Sequence, residues 1–204
     1  MKKNLYILVI IVLLVACVLC NCTSGSEAPT GSPTATEEIA ASDLPIDPYK
    51  SGYKHLYKVG EDIEAGLYLA TATDGKIAGF CIASDPECDD ILSNGHFEGR
   101  SYIEVKDGEY LDTSLCDILP FSQAEPYRPA NGIIADGQYL VGFDIEPGTY
   151  RLVGTGSNGA GHYTITTDAN GDNLVDKDTF FDSAYVRLIN TEYIQLEYCV
   201  LEVE

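Results

Sequence analysis

The chain has no tryptophan and only three histidines, His55, His96 and His162, in 204 residues. The missing tryptophan removes the commonest stacking platform for a sugar ring, although tyrosine is plentiful at 14. The histidines stand at no spacing, with one another or with a cysteine, that makes a zinc site. Basic residues are few: 12 Lys and Arg face 32 Asp and Glu, a net charge of −20. A surface of that sign repels nucleic acid and anionic lipid. It excludes those partners without naming another, because an acidic solvated exterior is ordinary. Beyond the N-terminus no stretch has helical periodicity, and no serine sits in a nucleophile elbow. Carboxylates are so abundant that pairs of them carry no information about glycoside hydrolysis.

What is present begins with "MKKNLYILVIIVLLVACVLCNC". Lys2 and Lys3 precede an apolar run from Leu5 to Ala16, the shape of a secretory signal and short for a membrane span. "LVAC" ends at Cys17 and resembles the bacterial lipobox. Cys20 and Cys22 are preceded by bulky or polar residues and fit it less well. The reading is a signal peptide over 1–16 and a lipidated Cys17. The alternative is an uncleaved anchor; either way the rest of the chain lies outside the cytoplasm, at the membrane. Loss of residues 1–16 takes the formal charge to −22. Residues 17–50 are rich in Ser, Thr, Pro, Gly and acids and read as a flexible tether.

The remainder repeats itself. "YKVGEDIEAGLY" (57–68) returns as "YLVGFDIEPGTY" (139–150), identical at eight of twelve positions. "FCIASD", "SYIEV" and "EYLDTSLC" then match "YTITTD", "AYVRL" and "EYIQLEYC" in order, at an offset of 82 and then 83 residues. This is a duplication, with one repeat over 51–121, a linker over 122–134 and a second repeat over 135–204. Each half is expected to fold alone, with Pro126 and Pro129 stiffening the linker.

Within a copy the period is two. Tyr163 and Ile165 share a face, as do Phe80 and Ile82, and Ile103, Val105 and Leu111 extend the apolar set. Asp107–Gly108 predicts a two-residue hairpin turn. "EPGT" predicts a type II turn in which Gly148 supplies a positive φ, with Gly66 in the same role. The fold class is all-β: two tandem β-sandwich, jelly-roll-like repeats after a signal peptide and tether. Turn and strand chemistry accounts for every shared residue type in the repeated phrase, so it reads as scaffold.

The pattern VGxDIxxGxY with a downstream EYLxxxxC resembles a β-repeat of secreted proteins and lipoproteins of Gram-positive bacteria. The resemblance covers most of 53–121 and 135–204. It implies an extracytoplasmic β-domain on a lipoprotein, and no enzymatic activity.

Three segments carry candidate chemistry. "GTGSNG" (154–159) matches a dinucleotide fingerprint, but a strand rather than a helix follows it, so it reads as a mobile loop. "DANGDNLVDKD" (168–178) spaces Asp168, Asn170, Asp172 and Asp176 as Ca2+ ligands, without the glycine and glutamate that complete such a loop. The competing reading is ordinary turn material. Cys81 and Cys88 flank a presumed hairpin turn and are expected to form a disulfide in an exported protein. Cys116 and Cys199 are equivalent in the two copies, as separate thiols or as a bridge. The resulting expectation is a lipid-anchored, non-catalytic binding module with an envelope or extracellular partner. The alternatives are a structural spacer and, more distantly, an envelope hydrolase.

Overall fold

The structure is a computed structural model that describes residues 55–129 and 131–202, all within one compact unit. The signal segment, Cys17 and the tether lie outside the described residues. Among the described residues the strands run β1 His55–Lys58, β2 Gly66–Ala72, β3 Ala78–Ala83, β4 Ile91–Phe97, β5 Arg100–Val105, β6 Tyr110–Ser114, β7 Cys116–Pro120, β8 Ile133–Ile134, β9 Gly137–Leu140, β10 Gly148–Gly154, β11 Ala160–Thr166, β12 Leu174–Phe181, β13 Ser183–Leu188, β14 Tyr193–Glu197 and β15 Cys199–Glu202. Two short 3-10 turns cover Phe121–Gln123 and Ser157–Gly159. All strand pairings within the sheets are antiparallel, and the fold is an all-β sandwich type.

The duplication is visible in the topology. In the first repeat one sheet has the order β1-β6-β3-β4 and the other β5-β2-β7. In the second repeat β9-β14-β11-β12 and β13-β10-β15-β8 reproduce that order strand for strand, with β8 added at an edge. Alternation puts one apolar face of each sheet inward. Tyr57, Ile82, Ile103, Val105 and Leu111 form the first core, and Tyr139, Ile165, Val186, Leu188 and Ile194 the second. Cys116 and Cys199 are buried in their own cores as unbonded thiols, so they do not bridge the repeats.

Two turn expectations are corrected. Asp107–Gly108 does end a tight turn, closed by Glu109 N–H donating to Lys106 O at 3.1 Å. It does not make a hairpin, because β5 and β6 belong to different sheets and the turn carries the chain across the sandwich. Gly66 is at positive φ (147°) but Gly148 is not, and both already lie in their strands, β2 and β10. A Cβ on Gly148 would meet the Tyr150 ring at 3.3 Å, so that glycine makes room for a side chain instead of bending the backbone. The reversal sits earlier, at Gly60 (φ 91°) and Gly142 (φ 93°). There Gly60 N–H donates to Ile63 O and Gly142 N–H to Ile145 O, both at 2.7 Å.

The repeats are joined by a third apolar cluster and a buried polar network. Leu67, Leu69, Tyr102 and Phe121 of the first repeat meet Leu140, Ala169 and Tyr193 of the second. The Tyr102 hydroxyl donates to Asp144 Oδ2 at 2.7 Å, and the Arg100 guanidinium lies 3.2 Å from Asp144 Oδ1. Arg100 sits 5.4–5.5 Å from the rings of Tyr102, Tyr127 and Tyr139, within cation–π range. The connecting segment takes part: Tyr127 N–H donates to Asp144 Oδ1 at 2.8 Å.

Candidate functional site

Side chains also bind the outer edge of β5. Gln138 Oε1 accepts the Tyr102 N–H at 2.7 Å. The Asn170 amide accepts from Glu104 N–H and donates to Glu104 O, both at 2.9 Å, as a neighbouring strand would. This docking sets the outer face of the β11–β14 sheet beside the edge of β4 and leaves a groove between them.

One end of the groove has a volume of about 250 Å³. His96 and Glu98 form one wall, Gln195, Glu197 and Tyr198 the other, and Ile77 and Asp136 close it. A second part, about 180 Å³, shares His96, Gln195 and Glu197 and continues along Asn94, Thr164 and Asn170. Among the described residues no lysine or arginine lines either part. Burial pushes the Asp136 carboxyl above its usual range, and the charge of Glu98 adds to this. The N–H groups of Cys199 and Tyr198 pull in the opposite direction without cancelling it. The groove therefore presents carboxylates, planar amides, a histidine and one exposed aromatic ring to a ligand, and it repels anions.

The residues expected to hold Ca2+ are not brought together. Asp168 spends its carboxylate on the N–H groups of Asp172 (2.9 Å) and Asn173 (2.6 Å). Asn170 is engaged with Glu104 across the junction, and Asp176 accepts the Tyr163 hydroxyl at 2.9 Å. Among the described residues no group of three or more His, Cys, Asp or Glu is placed to hold a metal ion. The corresponding Asp85 accepts the N–H groups of Glu87, Asp89 and Asp90, so both acidic loops are self-capped turns.

Cys81 and Cys88 lie half-buried on the β3–β4 hairpin as unbonded thiols. Burial, and then the neighbouring Cys88 thiol, push Cys81 up to about 11. The "GTGSNG" loop is tightly bonded: Gly156 N–H donates to Ala160 O at 2.9 Å and Asp182 N–H to Gly159 O at 2.8 Å. Strand β11 follows it. Among the described residues no helix is long and apolar enough to cross a membrane.

Sequence reasoning missed the groove, because its residues are not repeated. His96, Glu98 and Gln195 correspond to Thr179, Phe181 and Asp112. The available signal was divergence: positions at which the two copies carry different side chains, as at Glu98 and Phe181. The chain matches no protein-family model and no curated protein.

Proposed function

We propose that the chain is a lipid-anchored, extracytoplasmic, non-catalytic binding protein whose ligand lies in the groove between the two repeats. The observation that carries this reading is the groove itself. It exists because the repeats dock, and its walls are built from positions at which the two copies differ. The lipid anchor rests on the "LVAC" sequence: labelling with radioactive palmitate should be lost in Cys17→Ser and retained in Cys20→Ser and Cys22→Ser.

The groove is tested by affinity capture from whole envelope extract with the full-length chain and with a Gln195→Ala/Glu197→Ala variant. A partner held by the first and released by the second, with the melting temperature unchanged, supports the reading. Equal capture by both places the binding surface elsewhere. The raised carboxyl of Asp136 favours one second reading, an envelope hydrolase with Asp136 as its acid. Turnover of a peptidoglycan, glycan or ester substrate that disappears in Asp136→Asn would replace binding with catalysis.

A further inference from the structure

We infer that the groove takes an extended peptide segment with a basic end, added as a further strand to the outer edge of β4. The inference rests on the groove being the binding site and names what occupies it.

Strand β4 ends the order β1-β6-β3-β4, so one side of it has no partner strand among the described residues. The direction of its backbone groups follows from the ladder. Ser84 N–H donates to Asp90 O, which turns the even-numbered residues of β3 toward β4. Their partners Ser93, Gly95 and Phe97 therefore face β3. Alternation then points the N–H and C=O of Asn94 and His96 outward. Both residues line the groove.

Exposed edges are usually guarded by charge. Strand β12, the equivalent of β4 in the second repeat, carries Asp176, Lys177 and Asp178. Strand β13 carries Arg187, and the outer edge of β5 is occupied by Gln138 and Asn170. Strand β4, "ILSNGHF", carries no charge over seven residues. That is roughly 20 Å of strand, long enough for several main-chain bonds to an added strand.

Charge selects the occupant. Glu98, Asp136 and Glu197 gather at the Phe97 end of β4 with no lysine or arginine among them. At the other end Ile91 and Leu92 are each 50% exposed, beside a β-bulge that interrupts the pairing with Ile82 and Ala83. The fitting segment has Lys or Arg over the acidic end and an apolar side chain over Ile91 and Leu92. Acidic segments are repelled.

The test screens the full-length chain in detergent against a displayed library of random ten-residue peptides. Enriched sequences are then synthesised and their affinities measured by fluorescence anisotropy. Enrichment of Lys or Arg at one end is expected, with affinity falling as salt rises. Replacing the basic residues by Glu should weaken binding at least about tenfold, as should Glu98→Gln/Glu197→Gln in the protein. Asn94→Pro and His96→Pro remove an outward N–H while leaving the β3 ladder intact, and each should weaken binding by a similar factor. If a proline variant loses its native melting transition, amide hydrogen exchange in the unaltered chain decides instead: Asn94 and His96 should gain protection when peptide binds. Enrichment of acidic peptides, no enrichment, or unchanged exchange at both amides would overturn strand addition. The groove reading would survive that result if another ligand were still lost in Gln195→Ala/Glu197→Ala.

Discussion

Tyr68 and Tyr150 explain why the repeated phrase repeats. Each phenol reaches back four residues and donates to a backbone carbonyl, Tyr68 to Glu64 O at 2.8 Å and Tyr150 to Glu146 O at 2.7 Å. Asp62 and Asp144 close the same turn by accepting the N–H groups of Lys58 (2.8 Å) and Leu140 (2.9 Å). The glycines between them are required by conformation, since L side chains rarely adopt their φ, and by space: a Cβ on Gly60 would strike Asp107, and one on Gly142 would strike Asn190. Gly60→Ala and Gly142→Ala should each cost about 2–3 kcal/mol in urea unfolding. Gly108→Ala, also at positive φ but with nothing within 4 Å of its Cβ, should cost about 1 kcal/mol. The loop aspartates give a pH dependence. The N–H groups of Asp90 and Asp89 hold Asp85 below its ordinary value of 3.8. Burial pushes Asp168 up, but the N–H groups of Asp172 and Asn173 outweigh it and leave it below 3.8 as well. Both carboxylates are favoured in the folded state, so their contribution is present above the unfolded value and is lost as pH falls through the lower folded values. Melting temperature should therefore drop on acidification below about pH 4, and Asp85→Asn/Asp168→Asn should flatten that limb. Because these oxygens are already engaged, millimolar calcium should leave the melting temperature where excess chelator leaves it; a rise would restore the calcium site.

The strands were legible in the sequence because alternation reports a buried face directly. Ile103, Val105 and Leu111, grouped by period alone, all lie in the first core. Connections were less legible, since Asp107–Gly108 looks the same whether the chain returns in one sheet or crosses to the other. The duplication supplies a stronger signal for backbone than any single motif. Gly99 (φ 68°) stands opposite Asp182 (φ 63°), Leu115 (56°) opposite Tyr198 (52°), and Cys88 (59°) opposite Gly171 (85°). In the first and third pairs one copy shows by a glycine what the other holds at some strain; at Leu115 and Tyr198 both copies hold it without one. Cys88 is thus kept in a left-handed conformation in the loop beyond β3, whose Cys81 is a half-buried partner. The structure holds these two as free thiols and not as the disulfide expected from the sequence; if they pair in an exported chain, the bridge contributes about 2–3 kcal/mol for so short a loop. Peptide mapping under non-reducing conditions decides this; recovery of both as thiols refutes it. The groove was not legible, because it depends on how two sandwiches dock, and the docking residues occur once each. Arg100 answers Ser183, Gln138 answers Leu56, and Asn170 answers Glu87.

The two repeats are joined as one body, and the sequence shows why the joining occurs in one place. On the outer face of the β5-β2-β7 sheet, Leu67 and Leu69 pack with Tyr102 into the junction. The equivalents in the second repeat are Thr149 and Arg151, and Arg151 pairs with Glu202 at 3.0 Å on the surface. Tyr102 is fully buried, whereas its equivalent Tyr185 is 72% exposed. On the facing side, Leu140 of the second repeat answers Lys58 of the first, which pairs with Glu61. The surfaces that meet are apolar and the equivalent outer surfaces are polar, as in capped repeat arrays. This changes the expectation that each half folds alone. Separation would expose Leu67, Leu69, Leu140 and Tyr193 and leave Arg100 without Asp144. We therefore predict a single cooperative unfolding transition for the full-length chain; two well-separated transitions would return the repeats to independent modules. The sharper test is at the ion pair. The side chain of Asp144 is 0% exposed and that of Arg100 9%. Asp144→Ala strands a buried guanidinium whose Nε has no hydrogen-bond partner among the described residues, and removes the acceptor for Tyr102, Tyr127 and Leu140. It should cost about 3–5 kcal/mol. Arg100→Met/Asp144→Asn removes both charges together and keeps an acceptor at position 144, so it should cost less than Asp144→Ala alone. Urea unfolding of both variants and the parent measures the difference. If the double variant is the less stable, the junction depends on its charges and not on packing around them.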